Sequence, residues 1–167
     1  YPITAVNLPA ASFPTGYGGI KISNETSFGV DIQALLEAPM ALKAVQNDQP
    51  QVLVIHSHTT EGFSPEGFTE YTKAMSDRSL DETKNMVAVG KVFVQVLENA
   101  GVSVIHDTAV NDHPSYNGSY TRMLKTIQGY LEKYPSIRCV VDLHRDAIVS
   151  KDGVKYRPVT QINGENH

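Results

Sequence analysis

The chain has 167 residues, 41% of them hydrophobic and 19% charged, with a net charge of −4. That length supports one domain with a core of its own and argues against a second. So weak a charge excludes the broad basic surface that holds nucleic acid by its phosphates, and no apolar run approaches the roughly 20 residues needed to cross a bilayer. The chain opens on Tyr1 with no charged stretch and apolar block behind it, so any targeting segment reads as removed and the numbering as that of a fragment.

Residues 1–19, "YPITAVNLPAASFPTGYGG", hold three prolines and three glycines among small residues and read as a lead-in arm with little regular structure before Ile20. Residues 20–167 form the domain proper. It begins with a short alternating strand, a polar turn at Asn24 to Ser27, and a helical turn or two led by Asp31 and stopped before Pro39. "QVLVIH" is an apolar, β-branched run of the kind covered on both faces. A polar loop follows to about Ser79. "SLDETKNMVAVGKVFVQVLENAG" reads as a helix opened by acidic residues, with Met86, Val89, Phe93, Leu97 and Ala100 on one face and a stop at Gly101. "VSVIHD" is a second strand, and "YNGSYTRMLKTIQGYLEKYP" a second helix with Tyr120, Leu124, Ile127, Leu131 and Tyr134 on its apolar face. "IRCVVDLH" is the third strand; its Cys139, the only cysteine, excludes an internal disulfide and reads as a buried, inert thiol. "VKYRPVTQI" looks like a further strand after the turn "KDG". Strand, helix, strand, helix, strand at this spacing predicts an α/β fold with right-handed crossovers and helices on the faces of a mostly parallel, twisted sheet.

Ligands of such sheets bind beyond the carboxyl ends of the strands. Those ends supply His56 and His58, His106 and Asp107, and Asp142 and His144. Imidazoles and carboxylates at one edge are what a hydrolytic zinc centre requires: three protein ligands and one position left for a water that the ion acidifies. His58 and His144 are the strongest candidates, whereas His113, before Pro114, and terminal His167 read as bystanders. The acidic ligand stays open among Glu61, Asp81 and Glu82, with Glu61 also suited to act as general base and the other two to serve the helix dipole. Arg145 is placed to clamp a carboxylate or steady an oxyanion, or else to pair with Asp142 or Asp146. "HDTAVNDHPSYNGSY" suits a groove for a polar polymer such as a sugar chain, but reads slightly better as a polar turn with a helix cap. Ser57 offers a rival nucleophile, yet no G-x-S-x-G elbow occurs.

The segments "IKISNETSFGVDIQALL", "VLVIHSHTTEGF", "ETKNMVAVGKVFVQVLENAGVSVIHD" and "NDHPSYNGSYTRMLKTIQGYLEKYPSIRCVVDLHRDAI" together resemble the stage II sporulation protein P family, in order and over most of the chain. The resemblance implies a three-layer sandwich of the zinc-amidase type (phosphorylase/hydrolase-like), here truncated at its C-terminus and lacking a late catalytic glutamate. It implies a zinc-dependent N-acetylmuramoyl-L-alanine amidase, also an endopeptidase, that degrades septal peptidoglycan during engulfment beside stage II sporulation proteins D and M. It further implies an extracytoplasmic domain anchored through an N-terminal segment. Under it His58 and His144 are zinc ligands, and counting back four from Asn85 gives Asp81 as the third. The alternative is a non-catalytic peptidoglycan-binding or scaffold domain with a degenerate metal site.

Overall fold

In the computed structural model of the chain, residues 4–7, 15–17, 20–22, 24, 26–39, 43, 45, 47–64, 70–72, 75–159, 161–162 and 165–166 are described. Their elements in chain order are β1 (Thr4–Asn7), β2 (Thr15–Tyr17), β3 (Ile20–Ile22), α1 (Ile32–Glu37), β4 (Val52–Ile55), α2 (Met86–Asn99), β5 (Val104–His106), α3 (Ser119–Lys133), β6 (Cys139–Asp142), β7 (Ile148–Val149), β8 (Lys155–Val159), β9 (Gln161–Ile162) and β10 (Glu165–Asn166). The fold is α/β, built on a three-stranded parallel sheet in the order β5-β4-β6.

Of these three strands β4 comes first in the chain, yet it lies in the middle. The chain adds β5 on one side of it and then crosses back to add β6 on the other, so the crevice beyond the carboxyl ends of β4 and β6 is a topological switch point. Because side chains alternate across a pleated strand, β4 serves two cores. Leu53 and Ile55 cluster with Ile137, and Ile105, Met123, Ile127, Tyr130 and Tyr134 pack against them. Each of these two β4 side chains, out of solvent, contributes about 1.5–3 kcal/mol relative to exposure. Val54 and His56 point to the other face, where Gly90 of α2 lets the helix lie against His56 and His106: a Cβ there would stand 2.8 Å from His56 Nε2 and closer still to His106. Helices on opposite faces are what two crossovers of the same hand produce.

The predicted elements appear with local corrections. α2 starts at Met86, not at the acidic residues, because Asn85 is its N-cap and accepts from Val87 N at 3.0 Å. Its buried stripe is Met86, Val87, Gly90 and Val94, while Val89 and Ala100 are exposed. On α3 the core stripe is Met123, Ile127 and Tyr130, continued by Tyr134 just past the helix; Tyr120, Leu124 and Leu131 of the expected face are exposed. Two adjacent stripes share Ile127 and Tyr134, and the direction of approach to the sheet, which periodicity does not contain, selects between them. The polar turn before α3 ends in a cap at Gly118, at φ +81° and without a side-chain bond. Cys139 is half-buried, since β6 is an edge strand of its sheet among the described residues.

Two strands occur before Ile20, where little regular structure was expected. β1 pairs in parallel with β8, Thr4 opposite Tyr156, and β2 pairs with β3. A partner some 150 residues away lends β1 strand structure that local composition does not reveal, while β2 pairs with its near neighbour β3. The expected turn at "KDG", with Gly153 at φ +80°, joins β7 to β8 as a hairpin, and the single strand expected over "VKYRPVTQI" is divided between β8 and β9, which lie in separate sheets.

Candidate metal centre

β4 runs out at Ile55, yet residues 56–62 stay buried although most are polar. Such a segment is stable only if its polar groups are paired, and here nearly all are. Ser57 N donates to Asp142 Oδ1 at 2.9 Å, Thr60 N to Asp112 Oδ1 at 3.0 Å and Thr60 Oγ1 to Asp112 Oδ2 at 2.7 Å. Asn111 Nδ2 donates to the His56 carbonyl at 2.9 Å. Backbone bonds from Gly62 N to Asp77 O and from Ser79 N to Thr60 O bring residues 77–79 alongside, with Glu61 and Arg78 facing as a bridge pair. The loop is thus a rigid support.

It presents His58 and Glu61 to His144, which follows β6 across the switch point. His58 Nδ1 lies 3.2 Å from Glu61 Oε1 and His144 Nδ1 3.6 Å from Glu61 Oε2. One ligand atom from each of the three residues falls within 4.8 Å of the others. His58 and Glu61 are about 5% exposed, and His58 Nε2 is buried with no partner. A cation is what this donor set fits: two imidazoles and a carboxylate suit a divalent transition ion, and an orphaned buried nitrogen costs about 1–3 kcal/mol unless something satisfies it. The three residues, with Arg78, Tyr116, Tyr120, Arg145 and Asp146, line a cavity of about 550 Å³.

Of the acids open in the sequence, Glu61 joins the histidines and the other two do not. Asp81 sits in the turn before α2 and accepts from Thr83 N at 3.0 Å and Thr83 Oγ1 at 2.7 Å. Lys84 stands 3.2 Å away. The Thr83 bonds above all hold its carboxyl at about 2. Glu82 pairs with Lys91 at 3.1 Å. Since the helix begins only at Met86, both lie on an exposed turn. Arg145 borders the cavity, but Nε and Nη2 of its guanidinium donate at 2.9 Å to the carbonyls of Gly62 and Asp77, so it ties the loops and pairs with neither Asp142 nor Asp146.

His106 does not reach the cavity. Its Nε2 lies 2.8 Å from His56 Nε2, and His56 Nδ1 is 3.3 Å from the Leu143 carbonyl. Burial first, with the neighbouring imidazole adding to it at His106, lowers both pKa values below 6.5. The Leu143 bond opposes this at His56. Sequence reasoning missed Arg78, Tyr116 and Asp112. Arg78 Nη2 is 3.3 Å from Glu61 Oε1, and its Nη1 donates to Asp112. Tyr116 stacks on His58 with ring centroids 4.4 Å apart, and Arg78 covers Tyr116 at 4.8 Å. Nothing local marks them singly, although Asp112 and Tyr116 lie in the polar loop before α3 that suits a groove.

Ser57 Oγ lies 2.6 Å from His144 Nε2, but Asp142 Oδ2 holds that same nitrogen at 2.9 Å. A nucleophilic serine needs a hydroxyl that substrate can reach, and Ser57 is fully buried.

Fold and cluster together define an α/β protein with a His, Glu, His cluster at the carboxyl edge of its parallel sheet. The chain belongs to the stage II sporulation protein P family, which residues 19–167 match. Membership gives it a role in engulfment during sporulation, in a family linked to peptidoglycan hydrolysis. No curated protein and no solved structure matches the chain. Among the described residues no helix is long and apolar enough to cross a membrane.

Proposed function

We propose that the protein is a zinc-dependent peptidoglycan hydrolase: an N-acetylmuramoyl-L-alanine amidase, with endopeptidase activity on peptide crosslinks, whose domain is a three-layer sandwich of the zinc-amidase type. The observation that carries this reading is Glu61 standing within reach of both His58 and His144. These three residues would hold the ion. When bound, zinc supplies a Lewis acid that polarises the scissile amide carbonyl and acidifies water.

The chain's own residues do the positioning. Arg78 keeps Glu61 turned toward the histidines, and Tyr116 with Tyr120 closes one side of the cavity over His58. Arg145 and Asp146 also line the cavity. With its guanidinium engaged by backbone carbonyls, Arg145 shapes the cavity and is not assigned the oxyanion. The same reading places the domain outside the cytoplasm at the sporulation septum, anchored by a membrane segment and working with stage II sporulation proteins D and M.

Zinc content and the release of stem peptides from purified cell wall test the proposal together. His58→Ala, Glu61→Gln and His144→Ala should each lose both. Unchanged release in these variants, or release that persists in chelator, sinks the metal mechanism. Absence of both zinc and cleavage in the wild type would leave a non-catalytic wall-binding domain.

A further inference from the structure

The seam between the ends of β4 and β6 is bonded at every residue. Leu143 N donates to the Ile55 carbonyl at 3.0 Å, His56 Nδ1 faces the Leu143 carbonyl at 3.3 Å and Ser57 N donates to Asp142 Oδ1 at 2.9 Å. Asp142 is thereby fixed by one carboxylate oxygen, and the other, Oδ2, is left 2.9 Å from His144 Nε2. An ionised carboxylate only accepts, so a ring nitrogen at that distance must carry a hydrogen. Ser57 Oγ, 2.6 Å from the same nitrogen, is then a second acceptor for that N–H. The proton on Nε2 leaves the lone pair of a neutral ring on Nδ1, the atom that faces Glu61 at 3.6 Å.

We propose that Asp142 is the positioning residue of the centre: with Ser57 as auxiliary acceptor, it holds His144 in the Nε2–H tautomer and so makes Nδ1 the ligand atom. Which nitrogen of a metal-binding histidine is free is set by the partner of the other, and such partners tune affinity as well as orientation. Asp142 and His144 are two residues apart. In an extended strand that spacing puts both side chains on one face, so a single strand end supplies the ligand and its support. Ser57 adds the tie across to β4. The inference rests on reading His144 as a ligand, but it makes a claim about this ring that holds before any metal is added.

The test is nitrogen NMR of the imidazoles in the metal-free 167-residue chain at about pH 8, where an ordinary histidine is neutral. His144, assigned through loss of its signals in His144→Ala, should show the proton on Nε2. Asp142→Asn turns an acceptor into an amide that can donate to Nε2. The proton should then move to Nδ1, and zinc affinity, measured by competition with a chelating dye, should fall about 10- to 100-fold. Ser57→Ala removes only the auxiliary acceptor and should leave the proton on Nε2.

A wild-type His144 protonated on Nδ1 overturns the proposal, and this needs no variant to fold. So does a proton that stays on Nε2 in a folded Asp142→Asn protein, or one that moves in Ser57→Ala alone. If the tautomer behaves as stated while zinc fails to bind the wild type, the zinc reading fails and the role of Asp142 in orienting His144 stands.

Discussion

His56 and His106 meet at their Nε2 atoms, 2.8 Å apart, under the one residue of α2 that has no side chain, Gly90. Both rings are held neutral chiefly by burial, so both titrate below 6.5 in the folded protein. As pH falls, the unfolded chain takes up these protons first. The contribution of the pair is complete above an unfolded pKa of about 6.5 and is lost as pH drops toward the folded values. Asp107 and Glu82 act on His106 in the opposite sense, and Lys91 in the same sense, without reversing the direction. Melting temperature should therefore fall between about pH 7.5 and about pH 5.5, and less steeply in His106→Gln. Equal slopes in the two proteins would remove this pair from the acid response.

Gly90 itself is an exception to helix preference that the imidazoles explain. Alanine in a helix interior is worth about 1 kcal/mol over glycine, but overpacking costs about 1–3 kcal/mol. With the buried His56 ring and the half-buried His106 ring within van der Waals distance of the new methyl, the second effect wins. Gly90→Ala should lower the urea midpoint by the equivalent of about 1–2 kcal/mol with an unchanged slope. A stabilised variant would mean that the rings step aside freely.

Glu61 and Asp81 separate cleanly by their surroundings. Glu61 is buried between two histidines, whereas Asp81 is exposed and engaged by Thr83 and Lys84. By dye competition, Glu61→Gln should weaken zinc binding more than the roughly 100-fold ceiling typical of outer-shell changes, and Asp81→Asn by less than about twofold. A large loss in Asp81→Asn would return that residue to the centre.

Asp112 is the hub beneath the site loop: its carboxylate takes the backbone and side chain of Thr60 and the guanidinium of Arg78. Asp112→Ala leaves those donors unpaired, one of them a charge that is partly solvated. We expect a loss of about 2–4 kcal/mol in urea unfolding. A loss under about 0.5 kcal/mol would mean that water replaces the carboxylate without penalty.

The class of fold was legible because its signals are local and repetitive. β-branched runs at "QVLVI" and "RCVVD", two helical periods between them and strand ends rich in His and Asp are written in consecutive residues. Periodicity nonetheless misjudged the burial of Val89, Tyr120, Leu124 and Leu131. An amphipathic helix with a wide apolar band can be turned by a residue without changing its pattern, and only the sheet it lies on chooses the face.

The candidate centre divides in the same way. His58 and His144 stand out because each ends an apolar strand, which places chemistry at a sheet edge for reasons of chain order alone. The carboxylate that joins them did not stand out. Glu61 and Asp81 look equally suitable as letters, and the choice depended on where α2 begins, on Asn85 as its cap and on a buried turn that carries Glu61 back toward His58. The sequence by itself thus determined the sheet, its helices and the two histidines, since those follow from runs and periods along the chain. Tertiary structure alone decided the third group of the cluster, the tyrosines and Arg78 around it and the tie from Asp142 and Ser57 to His144. Apart from the short turn that returns Glu61 to His58, each of these is a contact across 17 residues or more, or a ring nitrogen chosen by its neighbours, and neither leaves a mark in residue order.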